Sequence, residues 1–170
     1  MTNRSSASPF SHILITAPRE EISDVYLTLC LSIKRSVPSL RDVVFLCVAD
    51  PAGYRIGSGG GTLNALHYLQ QKCGIHEIAR ARVAIIHSGG DSRRAPLHSV
   101  CGKAWASINS TQSDCLLSAP LALMIVELNA FCCGLQPGSV VVASSDVLLD
   151  IARVSNLSHL NLCYLNLILT

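Results

Sequence analysis

Two stretches of this sequence carry the residue types that phosphate chemistry needs. The first, Arg55-Ile56-Gly57-Ser58-Gly59-Gly60-Gly61-Thr62, places four glycines in five residues. Glycine leaves the backbone bare, so phosphate oxygens can approach the N–H groups closely. A helix opening at Thr62 would add its own free N–H groups and dipole. Alone, the stretch reads either as a phosphate cradle or as a flexible turn. Two well-known loops are excluded on spacing. The dinucleotide pattern GxGxxG fails because its last position is Thr62. The pattern GxxxxGK[ST] fails around Gly102-Lys103 because Leu97 and Ala104 stand where Gly and Ser/Thr are required.

The second stretch, His87-Ser88-Gly89-Gly90-Asp91-Ser92-Arg93-Arg94-Ala95-Pro96, is followed by Gly102-Lys103. Two glycines, an arginine pair and a later lysine can surround a triphosphate. Arginine grips phosphate with two parallel hydrogen bonds, and lysine acts as a movable point charge. When a nucleophile attacks an α-phosphorus, charge builds on the departing pyrophosphate, and such basic groups neutralise it. The plainer alternative is a solvated basic loop. Arg80, Arg82, Arg93, Arg94 and Lys103 fall within 24 residues, a basic zone sized for a polyphosphate and not a stripe for a duplex.

Other candidates weigh towards ordinary structural roles. His87 ends an apolar run and reads as structural in preference to a nucleotide contact. Asp91 reads as a turn former, and Trp105, the single tryptophan, as a packing residue in preference to a base platform. Glu127 fits the polar edge of an apolar helix, and Asp50 with Pro51 and Gly53 fits turn chemistry.

The elements that must position these groups follow from hydropathy. His12–Ala17, Asp42–Ala49, Val83–His87 and Ser139–Ala143 are short, continuous, largely β-branched apolar runs, the pattern of strands buried on both faces. Residues 19–35 carry Ile22, Val25, Tyr26, Leu29 and Ile33 at helical spacing. Thr62 onward repeats it with Leu63, Leu66 and Leu69 directed inward. Residues 116–134 read as a long apolar helix stopped by Gly134. Alternating strands and helices imply an α/β, Rossmann-like fold with a mostly parallel sheet and helices on both faces. Ligands in such sheets sit at the carboxyl ends of the strands, where both glycine stretches and Asp146 fall. Residues 152–170, SNLSHLNLCYLNLILT within them, alternate Leu with Asn and Ser and read as an atypical, foreign or truncated end.

Composition narrows the classes. The 170 residues fit one domain; 49% are hydrophobic and 14% charged. About 25% charged is usual, so the chain is not disordered, and part of its surface is expected to be covered by a partner or by further chain. A net charge of +2 gives no footprint for nucleic acid. Eight cysteines without a CxxC or zinc spacing read as free thiols of a reducing compartment, the cytoplasm. Residues 115–135 are long enough to cross a bilayer, but Pro120, Glu127 and Asn129 argue for a buried helix and against a membrane span. The start of the chain does not read as a signal peptide.

Taken in order, RIGSGGGTLNAL, IIHSGGDSRRAP, CGKAW and SSDVLLD resemble the nucleotidyltransferase domain of the fucokinase/GDP-fucose pyrophosphorylase family, from about His12 to Ile151. The resemblance implies a domain of the nucleotide-diphospho-sugar transferase type, incomplete here, with residues 1–151 as its nucleotide-binding part. It implies transfer of a guanylyl group from GTP to a sugar 1-phosphate, L-fucose 1-phosphate in the family, with release of pyrophosphate. In that picture Gly57, Ser58, Gly59, Gly60, Gly61 and Thr62 cradle the nucleotide together with Gly89 and Gly90. Arg93 and Arg94 face the leaving phosphates, Lys103 is the signature lysine, and Asp146 holds Mg²⁺. The family's sugar-binding region and its separate kinase domain have no counterpart after Ile151. The competing expectation is therefore a catalytically inactive fragment that binds a nucleotide or a partner chain completing the sugar site.

Overall fold

Four apolar runs pair in parallel, and the chain returns to add a fifth strand antiparallel. The computed structural model describes residues 7–52, 54–88, 102–106, 116–132, 134–145 and 164–166. The strands are β1 (His12–Ala17), β2 (Val44–Ala49), β3 (Val83–His87), β4 (Ser139–Ser144) and β5 (Tyr164–Asn166), and the helices are α1 (Glu20–Ser36), α2 (Gly57–Cys73), α3 (Ile75–Ile78) and α4 (Pro120–Phe131). The sheet order is β2-β1-β3-β4-β5. β5 pairs antiparallel with β4, Tyr164 opposite Val141. It is the described part of the segment that composition sets apart.

Period-two alternation divides the sheet between two cores. Ile13, Ile15, Ala84, Ile86 and Val141 face α1 and α4, where Tyr26, Cys30, Ile33, Leu121, Ile125 and Leu128 close over them. Leu14, Val48, Val83, Ile85 and Val140 face α2, through Ala65, Leu66 and Leu69. Helices thus lie on both faces, and the fold is the expected α/β Rossmann-like arrangement. α1 connects β1 to β2 on one side. α2 then crosses back on the opposite face to β3 on the other side of β1. The strand order reverses between β1 and β3, and the crevice outside their carboxyl ends is the topological switch point.

Two helix starts and two side-chain directions differ from the sequence reading. α2 begins at Gly57, five residues before Thr62; the glycines, poor helix formers, are the first turn of the helix and not a loop before it. Leu63 points outward at 68% exposure, because at about 100° per residue it lies away from the buried stripe of Gly61, Ala65, Leu66 and Leu69. Val25 in α1 is likewise 56% exposed, and Ser23 and Cys30 take the inner positions. α4 starts at Pro120 and not at Leu116, since Ala119 before the proline is extended (φ −71°, ψ 142°), as the steric conflict with a following proline requires. α4 is 12 residues long and buries Leu121, Ala122, Met124, Ile125 and Leu128. No described helix is long and apolar enough to cross a membrane. Among the described residues, Cys30, Cys47 and Cys73 are free thiols.

Candidate functional site at the switch point

Along the face towards α2 the middle of the sheet is apolar, with Leu14, Val83, Ile85 and Val140 inward. At the carboxyl ends one rung of the sheet changes character: Thr16 pairs with His87, and His87 with Ser144. Polar side chains at that level cannot be apolar core; they need partners. His87 has two. Its Nδ1 lies 3.3 Å from Thr16 Oγ1 and its Nε2 lies 3.0 Å from Thr62 Oγ1. Thr62 Oγ1 also lies 3.0 Å from the Ser58 carbonyl oxygen, and the Ser88 N–H donates to Thr16 Oγ1 at 3.3 Å. The Ser88 hydroxyl donates to the Thr16 carbonyl.

These contacts fix the protons. A carbonyl only accepts, so the Thr62 hydroxyl donates to Ser58 and must accept from His87 Nε2–H. His87 Nδ1 is then an acceptor and takes the Thr16 hydroxyl proton. The imidazole is neutral with its proton on Nε2. Burial pushes its pKa below the ordinary value, and the Asp50 carboxylate opposes that shift.

The first two turns of α2 are thereby anchored to three strand ends. His87 joins them to β1 and β3, and Asn64 Nδ2 donates to the Ala49 carbonyl of β2 at 2.9 Å. The glycines have separate physical reasons. Gly57 has φ +68°, and the N-cap residue, Ile56, makes no side-chain hydrogen bond. A Cβ on Gly60 would stand 2.7 Å from Ile56 Cβ, and one on Gly61 would stand 3.3 Å from His87 Cε1. A Cβ on Gly59 would meet nothing within 4 Å. Gly57, Ser58 and Gly59 are exposed and Gly61 is buried. The turn presents bare N–H groups and the positive end of a 17-residue helix to the crevice, and an anion is its natural complement.

Lys103 stands on the other face of the sheet. It opens a 3₁₀ turn (Lys103–Trp105) whose Ala104 is buried in the core beneath α1 and α4. Gly102 before it has φ +76°, and a Cβ there would fall 2.9 Å from Tyr26 Oη. Trp105 packs against Tyr26 with ring centroids 5.3 Å apart and planes at 53°, the packing role the sequence suggests. The turn at Asp50–Pro51 forms as expected, with Tyr54 N–H donating to the Pro51 carbonyl at 3.0 Å. Gly89, Gly90, Asp91, Arg93, Arg94 and Asp146 lie outside the described residues. β4 leads directly to Asp146 through Ser145, which is fully buried, whose N–H donates to the His87 carbonyl at 2.9 Å, and whose Oγ has no partner among the described residues.

Sequence reasoning missed Thr16 and Asn64 and gave His87 no partner. A signal was present: Thr16 and His87 are the polar interruptions near the ends of two otherwise apolar strands.

The fold and this crevice define an α/β domain of Rossmann-like topology with a polar switch point beside a glycine-built helix start. The Fucose pyrophosphorylase domain matches residues 75–162, which is about half of the chain and runs from α3 through β3, the basic stretch, Lys103, α4 and β4. The chain is 33% identical over 114 residues to a fucose-1-phosphate guanylyltransferase of Mus musculus, covering 67% of this chain and 18% of that protein. It is 31% identical over 121 residues to a bifunctional fucokinase/GDP-fucose pyrophosphorylase of Arabidopsis thaliana, covering 60% and 12%. It is 35% identical over 99 residues to a fucose-1-phosphate guanylyltransferase of Homo sapiens, covering 58% and 16%. No solved structure gives a significant match. The chain belongs to the fucose pyrophosphorylase family. It spans less than a fifth of the length of these relatives.

Proposed function

We propose that this chain supplies the nucleotide half of a guanylyltransferase site, in which GTP and a sugar 1-phosphate, L-fucose 1-phosphate by the names of its relatives, give GDP-fucose and pyrophosphate. The observation that carries the reading is Gly59: an exposed glycine in a helical turn, with open space where a Cβ would stand. Packing among the described residues does not require a glycine there, and close approach of a ligand to the backbone does. The family membership names the ligand class.

In this reading the N–H groups of Gly57 to Thr62 hold phosphate oxygens of the nucleotide, together with those of Gly89 and Gly90. The sugar phosphate attacks the α-phosphorus in line, the bond to the β,γ-pyrophosphate breaks, and Arg93, Arg94 and Lys103 take up the charge on the leaving group. Asp146, together with the hard oxygen donor Ser145 Oγ and the phosphates, suits Mg²⁺, whose sites use one or two carboxylates beside substrate oxygens. The metal, when bound, neutralises phosphate charge. Free, buried thiols fit a cytoplasmic setting.

The stretch matched in relatives covers 12–18% of their lengths, so the sugar phosphate's pocket is assigned to further chain or to a partner. The test is calorimetric titration with GTP and ATP in Mg²⁺, followed by pyrophosphate release with L-fucose 1-phosphate. GTP is expected to bind, and Lys103→Ala and Asp146→Ala to lower turnover or, where this chain alone does not turn over, affinity by tenfold or more, about 1.4 kcal/mol. Full retention in both variants overturns the assignment of these roles.

A further inference from the structure

The geometry points to His87 as the positioning residue of the nucleotide site: its neutral, Nε2-protonated imidazole locks the first turn of α2 through Thr62 and so sets the N–H groups that meet phosphate. This rests on the reading above for the ligand, but the lock itself is independent of it.

The argument begins from a conflict. A turn containing four glycines loses more conformational freedom on ordering than any other composition. The N-cap residue, Ile56, makes no side-chain hydrogen bond to the free N–H groups at the start. Left alone, such a turn would fray and bind an anion weakly, because binding would have to order it. The chain Ser88 N–H to Thr16, Thr16 O–H to His87, His87 N–H to Thr62, Thr62 O–H to the Ser58 carbonyl supplies the missing order. Every link runs one way, so neighbouring hydrogen bonds polarise one another. Gly61 belongs to the same device: only glycine lets the helix backbone approach the imidazole, at 3.3 Å from where a Cβ would stand. His87 touches no substrate atom in this scheme; it acts through Thr62.

Two isosteric halves of the imidazole separate this role from mere packing. His87→Asn keeps an acceptor where Nδ1 stands and loses the donor to Thr62. His87→Gln keeps a donor near Nε2 and loses the acceptor for Thr16. Two readouts are needed. The first is ¹⁵N NMR of His87 in the unmodified chain at pH 7.5, where the Nε2–H tautomer is expected. The second is amide hydrogen exchange over residues 58–62 without nucleotide, alongside Mg·GTP affinity. His87→Asn is expected to speed exchange in the first turn and weaken GTP binding, each about five- to tenfold, the size of one hydrogen bond. His87→Gln should stay within about threefold of the parent, and Thr62→Val should copy His87→Asn.

An Nδ1–H or doubly protonated ring overturns the proposal without any variant having to fold. Equal exchange in the Asn and Gln variants overturns it as well. If the parent chain binds no GTP while the tautomer and exchange pattern hold, the lock stands and the ligand assignment fails.

Discussion

Gly59 separates folding from binding at the scale of one residue. A glycine inside a helix costs about 0.5–1 kcal/mol relative to alanine, and nothing among the described residues stands near enough to forbid a methyl group there. Gly59→Ala is therefore expected to raise unfolding stability by up to about 1 kcal/mol, read by urea denaturation, with the methyl group projecting where phosphate approaches. Gly61→Ala should do the opposite and destabilise, because its methyl group meets the His87 ring. Glycines two residues apart with opposite signs would be hard to explain as a merely flexible turn. None of this was legible locally. The sequence shows four glycines alike; only the fold distinguishes the one at positive φ, the two against side chains and the one left open.

At the scale of elements, the four parallel strands were readable almost to the residue, because runs buried on both faces leave continuous apolar signatures, whereas β5 was not read as a strand. Helix starts were not. α2 begins at Gly57 against propensity, held by partners that are distant in the chain: Thr16, His87 and the Ala49 carbonyl. α4 begins late because of Pro120. The inner stripe of α2 gives a direct check. Leu69 is fully buried and Leu63 is 68% exposed, although spacing from Thr62 reads both as inward. Leu69→Ala should cost about 2–5 kcal/mol in urea denaturation, and Leu63→Ala less than about 0.5 kcal/mol. Equal costs would mean that the buried stripe of α2 is not the one formed by Gly61, Ala65, Leu66 and Leu69. Lys103 illustrates the other limit of sequence reading. Its motif was visible, but its seat against Tyr26, on the face opposite α2, follows only from the packing of Gly102 and Trp105.

For the whole molecule, the half-buried histidines tie folding to pH. Burial lowers the pKa of His12 and of His87, with Glu77 and Asp50 opposing the shifts. The unfolded chain, with histidines near their ordinary 6.5, then binds more protons than the folded chain between the two values. Stability is fully present above about pH 6.5 and falls as pH drops through that window. The melting temperature should decline from pH 7 to pH 5 at constant ionic strength, and His87→Gln and His12→Gln should each flatten the decline. Stability that holds or rises on acidification would contradict the half-buried, neutral imidazoles. Burial also pushes the Cys47 thiol up to about 12 and the Cys30 thiol higher still, which keeps both as inert packing groups.

The central claim is that the first turn of α2, at the switch point between β1 and β3, receives nucleotide phosphate. Calorimetric titration of the chain and of Gly59→Ala with GTP in Mg²⁺ tests it most directly. The account predicts saturable one-to-one binding to the parent and at least tenfold weaker binding to a Gly59→Ala variant that is as stable as the parent or more so. Equal affinity in the two proteins would place the nucleotide elsewhere, and no binding to the parent would remove it from this crevice altogether.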